Sequence, residues 1–184
     1  MLPILSEKLS CFFVRSKIIQ QEDKEIYSYS VEVLLATILN FVMLYLIAIL
    51  TGKVWETTMF VLGFVPLRSL AGGFHAKTHF RCLMTLLCTY TAFLAIVYLM
   101  SQELYIFVTV SCVSLSAILV YLLAPVEDKN KPLSASEQKH YRYRSRFTIL
   151  VYAVVILFGI FMFQHRVEFL CIAVGILSVS FSLT

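Results

Sequence analysis

Charge is the scarcest thing in this sequence. Only 14% of its 184 residues are Asp, Glu, Lys or Arg and 60% are hydrophobic, whereas soluble domains carry about 25% charged residues. That shortage excludes an ordinary soluble globular chain. No polar tract is long enough to fold as a soluble domain, so a single membrane domain is expected over residues 1–184. The apolar residues gather in long runs and do not alternate, which excludes an outer-membrane barrel. A disulfide framework is not expected either. The five cysteines are an odd number, and Cys88, Cys112 and Cys171 sit inside apolar runs, where Cys behaves as a small hydrophobe. The N-terminus has no continuous apolar core and no small-residue cleavage site, so no removable signal peptide is expected. The formal charge of +4 lies beside membrane segments; topology explains it there, and no nucleic-acid partner is expected.

What is present predicts an all-α, polytopic membrane helical bundle. Residues 1–30 read as an interfacial N-terminal region. Within it, Leu2, Leu5, Leu9, Phe12 and Ile19 recur at helical spacing among Lys8, Arg15 and Lys17. That pattern suits an amphipathic helix lying on lipid or, equally, a helix packed on the bundle, since Ser16 interrupts the stripe. Gln20 to Ser30, with Glu22, Asp23, Lys24 and Glu25, reads as a solvated link. About six hydrophobic segments follow over residues 31–184, since roughly 20 helical residues cross a bilayer core. They are 31–50, 54–67, 83–100, 105–124, 147–163 and 167–183. The segment 54–67 is short and ends near Pro66, where a bend is expected; it is read as spanning, with a re-entrant course as the alternative.

If all six cross, the turns on one side hold only Lys53 and Arg166 of fifteen basic residues, and the remaining thirteen share the other side. The positive-inside rule then puts both termini, the polar stretch Arg68 to Cys82 and the basic loop 125–146 in the cytoplasm.

The stretch Arg68 to Cys82 is the candidate for chemistry. It holds His75, His79 and Cys82 with Arg68, Lys77 and Arg81, and it has the glycine pair Gly72-Gly73. Nearby cations and a proton-accepting imidazole favour a thiolate, the nucleophilic form of Cys. On a continuous helix His79 shares a face with Cys82, whereas His75 lies roughly 10 Å away along the axis. A base must come within about 3 Å of the thiol, so spacing alone leans to His79. His75 reaches Cys82 only if the chain turns back between them, which the glycines allow. A second constellation fits the same residues: His75, His79 and Cys82 as three metal ligands on one helix face. It lacks a nearby carboxylate base and any group to orient the imidazoles, and no metal is expected.

Arg68, Gly73, His75 and Cys82, at spacings of five, two and seven with Ala76 after the histidine, resemble the signature of the accessory gene regulator B (AgrB) family. The resemblance extends to length and to the order of hydrophobic segments. That family's members are membrane cysteine endopeptidases of Gram-positive quorum sensing. The resemblance implies Cys82 as nucleophile and His75, not His79, as general base, with no cofactor. It implies as substrate an AgrD-type peptide precursor, whose C-terminal tail is removed through an acyl-enzyme thioester that a Cys or Ser of the peptide captures as a thiolactone or lactone. The location implied is the plasma membrane of a Gram-positive bacterium.

Arg68 is expected to stabilise an oxyanion, to meet the precursor's acidic groups, or to hold the stretch by pairing with a carboxylate such as Glu32; Gly73 supports the backbone course. Lys129, Lys131, Arg142, Arg144 and Arg146 are candidates for binding an acidic peptide tail, with contacts to anionic membrane lipid as the plainer account. Glu56 and Glu168 belong to an export path or simply snorkel. A homodimer is left open. The rival functions are a small peptide exporter without proteolytic activity and a metal-dependent membrane hydrolase.

Overall fold

A computed structural model describes residues 2–72, 79–126, 134–163 and 167–183, with backbone alone for Leu2 and 79–82. These residues form seven α-helices, two single-turn 3-10 helices and one isolated bridge between Gly72 and Val126. Three helical stretches are long and apolar enough to cross a membrane, 21–50, 102–123 and 135–162, and Leu83–Leu99 and Val167–Phe181 are shorter apolar helices. The protein is an all-α membrane bundle, as its composition requires.

The chain divides into two compact units, Met1–Leu50 and Thr51–Thr184. In the first, α1 (Leu2–Arg15) packs on α2 (Lys24–Leu50). The leucine stripe is not its buried side. Ser6 and Ser10 are fully buried, each hydroxyl donating to a carbonyl one turn back, while Ile4, Leu5 and Phe12 are exposed. Lys17 takes a left-handed conformation at φ 56°. Ile18 N–H reaches the Phe13 carbonyl at 2.9 Å and Lys17 N–H the Val14 carbonyl at 3.0 Å, the paired bonds that close a helix end when one residue turns left-handed. The interval Gln20–Ser30, read as a link, is mostly helical: a 3-10 turn at Gln21–Asp23 leads straight into α2. Adding residues to an existing helix is cheap compared with starting one. Ser30 returns its hydroxyl to the Ile26 carbonyl at 2.8 Å.

In the second unit α3 (Val54–Ala71), α4 (His79–Leu99), α5 (Tyr105–Leu123) and α6 (Ala135–Met162) are arranged with α7 (Val167–Phe181), which packs against all four. The sequence of α7 suits that place. Its buried residues include Cys171, Ala173, Gly175 and Ser180, and small residues let membrane helices approach closely where no hydrophobic effect drives them together. A Cβ at Gly63 of α3 would overlap the Ile172 carbonyl, and one at Gly175 the Phe60 carbonyl, so α3 and α7 meet backbone to backbone. Aromatic packing ties α4 to α3: Phe60 stacks on Phe93 with centroids 4.7 Å apart, and buried Tyr90 hydrogen-bonds to Thr57.

Two boundaries depart from the sequence reading. First, α3 runs through Pro66 to Ala71, so the polar stretch begins inside a helix. A helical proline leaves the carbonyl four residues earlier without its N–H partner. That carbonyl belongs to Leu62, and Tyr152 of α6 donates its hydroxyl to it at 2.5 Å. Second, the interval 125–146 is not all loop, because α6 begins at Ala135. Ser134 and Glu137 form a capping box. Glu137 N–H donates to Ser134 Oγ at 3.3 Å and Ser134 N–H to Glu137 Oε2 at 2.9 Å, which satisfies end groups that otherwise destabilise a helix start. At 28 residues the helix is about 42 Å long. That exceeds a hydrocarbon core of about 30 Å, so its polar beginning extends as a stem.

Candidate active site after the third helix

The site is reached through the end of α3. Leu67 and Ala71 are fully buried there and anchor the last turn. Arg68, on that turn, donates from Nη1 to the Gly72 carbonyl at 2.9 Å and to Ser182 Oγ at 2.7 Å. Gly72 stops the helix with φ 72° and ψ −138°, the mirror image of the extended region, which glycine alone enters readily. Val126 N–H donates to the Ala71 carbonyl at 3.0 Å, and a parallel bridge joins Gly72 to Val126 just after the cis Ala124–Pro125 peptide. Three segments distant in sequence therefore converge where the chain leaves α3: its own end, the residues after α5, and the turn after α7.

Gly73 and His75 lie outside the described residues, as does the expected reversal between His75 and Cys82. The backbones of His79 and Cys82 belong to the first turn of α4. The N–H groups of a helix's first turn lack internal acceptors and carry partial positive charge, a setting in which a cysteine favours its anionic form. The backbone of Cys82 thus lies at a helix start, ten residues after Gly72 in sequence.

The basic residues divide. Lys129 and Lys131 lie outside the described residues. Arg142 and Arg144 are exposed on the stem of α6. Arg146 is engaged with α5: its Nη2 donates to the Tyr121 carbonyl at 2.7 Å and its guanidinium carbon stands 3.9 Å from the centre of the Tyr121 ring. A cation over an aromatic face is held electrostatically by the ring, so Arg146 fastens the stem to α5.

At the other end of α3, Glu56 pairs with Lys53 at 2.7 Å. This bond, the largest influence, pushes the Lys53 ammonium above its ordinary value, against a smaller opposing effect of burial. Glu168 has one buried carboxylate oxygen with no hydrogen-bond partner among the described residues.

Ser182, Val126 and Tyr152 were not singled out by sequence reasoning. Ser182 stands 114 residues from Arg68 and carries no pattern of its own. Only Tyr152 had a signal, and an indirect one, since a proline at position 66 of a helix calls for a donor to Leu62.

The comparisons with known proteins agree with the motif. The family described as Accessory gene regulator B matches residues 6–183. A protein named "Putative AgrB-like protein" from Clostridium perfringens (strain SM101 / Type A) is 23% identical over 150 residues, covering 78% of this chain and 70% of that protein. Protein FsrB of Enterococcus faecalis (strain ATCC 47077 / OG1RF) is 28% identical over 109 residues, 59% of this chain and 45% of that protein. No solved structure matches. With the family's match running over nearly its whole length, the chain belongs to the accessory gene regulator B family, in the quorum-sensing peptide-processing system.

Proposed function

We propose that the protein is a membrane cysteine endopeptidase and cyclotransferase that trims the C-terminal tail from an AgrD-type precursor. One observation supports the reading most: in a member of this family, the backbone of Cys82 lies in the first turn of α4, and Arg68 at the end of α3 is tied to the Gly72 carbonyl. In the proposed reaction His75 takes the Cys82 thiol proton, and the thiolate attacks the carbonyl carbon before the tail. The tetrahedral oxyanion collapses, the C–N bond breaks, and the leaving amine takes the proton from the imidazolium. A thioester to Cys82 remains. The thiol or hydroxyl of an internal Cys or Ser of the peptide then attacks it, passing its proton to His75, and the Cys82 thiolate leaves and is reprotonated. Water must be scarce for the thioester to survive until capture, which the edge of a bilayer provides.

In this reading the reaction takes place at the cytoplasmic face of the plasma membrane, where thirteen of fifteen basic residues would gather. Lys129, Lys131, Arg142 and Arg144 receive the acidic tail, since Arg146 is already bound to Tyr121.

The test uses the full chain in liposomes with a short precursor that has an amphipathic start, a central Cys or Ser and an acidic tail. Cys82→Ser abolishes cleavage, His75→Ala lowers it by about 10²–10⁴-fold, and His79→Ala leaves most of it. A peptide thioester at Cys82 is trapped and found by mass spectrometry. Cleavage retained in Cys82→Ser overturns the mechanism, and loss in His79→Ala alone reassigns the base.

A further inference from the structure

α1 spends one side on α2 and leaves another bare. Ser6 and Ser10 are fully buried, while Leu5 and Phe12 are 48% and 59% exposed. Leu5 and Phe12 stand about two helical turns apart and so share a face; Lys8 and Arg15 form a second such pair, about 60° round the axis from the first. Both cations are exposed. Among the described residues neither has an acidic partner: Glu7, the single acid of α1, leans instead toward Lys24 of α2, with 3.9 Å between Oε1 and Nζ. α1 therefore presents a row of apolar side chains beside a row of positive charge, each about 10 Å long.

The approach of Glu7 to Lys24 also fixes the level of α1. Lys24 opens α2, inside the stretch 21–50 that is long and apolar enough to cross a bilayer. Glu22, Asp23, Lys24 and Glu25 cluster at that end. Charge is costly in hydrocarbon, so this end of α2 lies at the boundary of membrane and water, and the middle of α1 lies beside it. A helix at that level meets acyl chains with an apolar flank and headgroup phosphates with the Lys and Arg next to it.

We propose that α1 is a docking surface for anionic lipid: Leu5 and Phe12 enter the acyl region while Lys8 and Arg15 bind headgroup phosphates. Zwitterionic lipid serves less well, because its phosphate is already neutralised by its own ammonium group. The surface holds the N-terminal unit against the bilayer and takes no part in the chemistry proposed for Cys82 and His75.

The test uses the full chain in liposomes of phosphatidylglycerol and phosphatidylcholine in equal parts. Trp55→Phe removes the single native tryptophan, and Phe12→Trp places a new one on the apolar flank; Leu5→Trp repeats the reading on the same face. Bromine carried on the acyl chains of one lipid or the other quenches a tryptophan beside it. Bromine stepped down the chains finds the indole about 5–10 Å into the headgroup–acyl boundary. Brominated phosphatidylglycerol quenches as though enriched about fivefold or more beside α1, the scale of one basic residue near an anionic surface. Lys8→Gln with Arg15→Gln makes the two brominated lipids equal, as does salt at about 1 M, where the screening length is about 3 Å. Phe13→Trp, at a half-buried position, is quenched far less. Equal quenching by the two lipids with Lys8 and Arg15 in place, at low salt, overturns the proposal. So does quenching of Phe12→Trp by aqueous iodide and not by lipid, which puts the flank in water. Shielding from both quenchers overturns it too: the rest of the chain covers the flank where shielding persists on dilution in lipid, and a second copy where it fades. Each of these results leaves the cysteine mechanism standing.

Discussion

Replacing Gly72 by alanine tests the junction more severely than any other single change. The backbone there has φ 72° and ψ −138°, and holding a side-chain-bearing residue in a sparsely populated region costs about 1–3 kcal/mol. The new Cβ would also overlap the Val126 carbonyl oxygen, and backbone atoms cannot swing aside as a flexible side chain does. Relief requires Val126 to withdraw, breaking its hydrogen bond to the Ala71 carbonyl, worth about 0.5–1.5 kcal/mol. Together these come to about 1.5–4.5 kcal/mol, or roughly 10- to 2,000-fold in the population of the native junction. Gly52 is the matched control: it too has positive φ, 68°, but among the described residues nothing stands within 4 Å of its would-be Cβ. Gly52→Ala therefore costs about 1–2 kcal/mol from backbone handedness alone. The assays are thermal unfolding in detergent and precursor cleavage in liposomes. Gly72→Ala loses most cleavage and melts below Gly52→Ala, which keeps its cleavage. Asparagine does not rescue position 72, because its tolerance is for the left-handed helical region and not for ψ near −138°. Equal melting of the two variants, with cleavage intact in both, would refute the reasoning.

Two further outcomes are expected. Tyr152→Phe leaves the Leu62 carbonyl, already orphaned by Pro66, without a donor and costs about 1–3 kcal/mol; in a Pro66→Ala background the same change costs far less, because the restored N–H supplies the bond, and a thermal double-mutant cycle measures the difference. The Lys53–Glu56 pair gives no pH dependence across neutrality. A lysine raised by its partner stabilises fully below the unfolded value of about 10.4 and loses that contribution only as pH rises through the higher folded value. Melting of the wild type and of Glu56→Gln, followed from pH 7 to 11, should therefore differ by a constant until strongly alkaline pH and converge beyond it; convergence already between pH 7 and 9 would contradict this account.

Much was legible without coordinates. The 14% charge and the long apolar runs determined a helical membrane protein, because lipid offers backbone groups no other partner. The spacing of Arg68, Gly73, His75 and Cys82 determined the family resemblance, since a motif survives in sequence whatever surrounds it. Helix ends were less legible. The helical course of α3 through Pro66 is supported by the Tyr152 hydroxyl, 90 residues from the Leu62 carbonyl it satisfies, and the buried side of α1 turned out to be its serines and not its leucines. The capping box at Ser134 and Glu137 was readable locally and went unread, hidden in an interval whose charges suggested a loop.

The sequence by itself determined the family signature and that it lies among membrane helices. Only the tertiary structure decided how the chain enters that stretch. The acceptor for Arg68 comes from Ser182, 114 residues on, and the partner of Gly72 comes from beyond α5. Local pattern records what a residue needs in its own helix. It carries no record of which distant carbonyl or hydroxyl the packing of α3 against α7 brings within 3 Å.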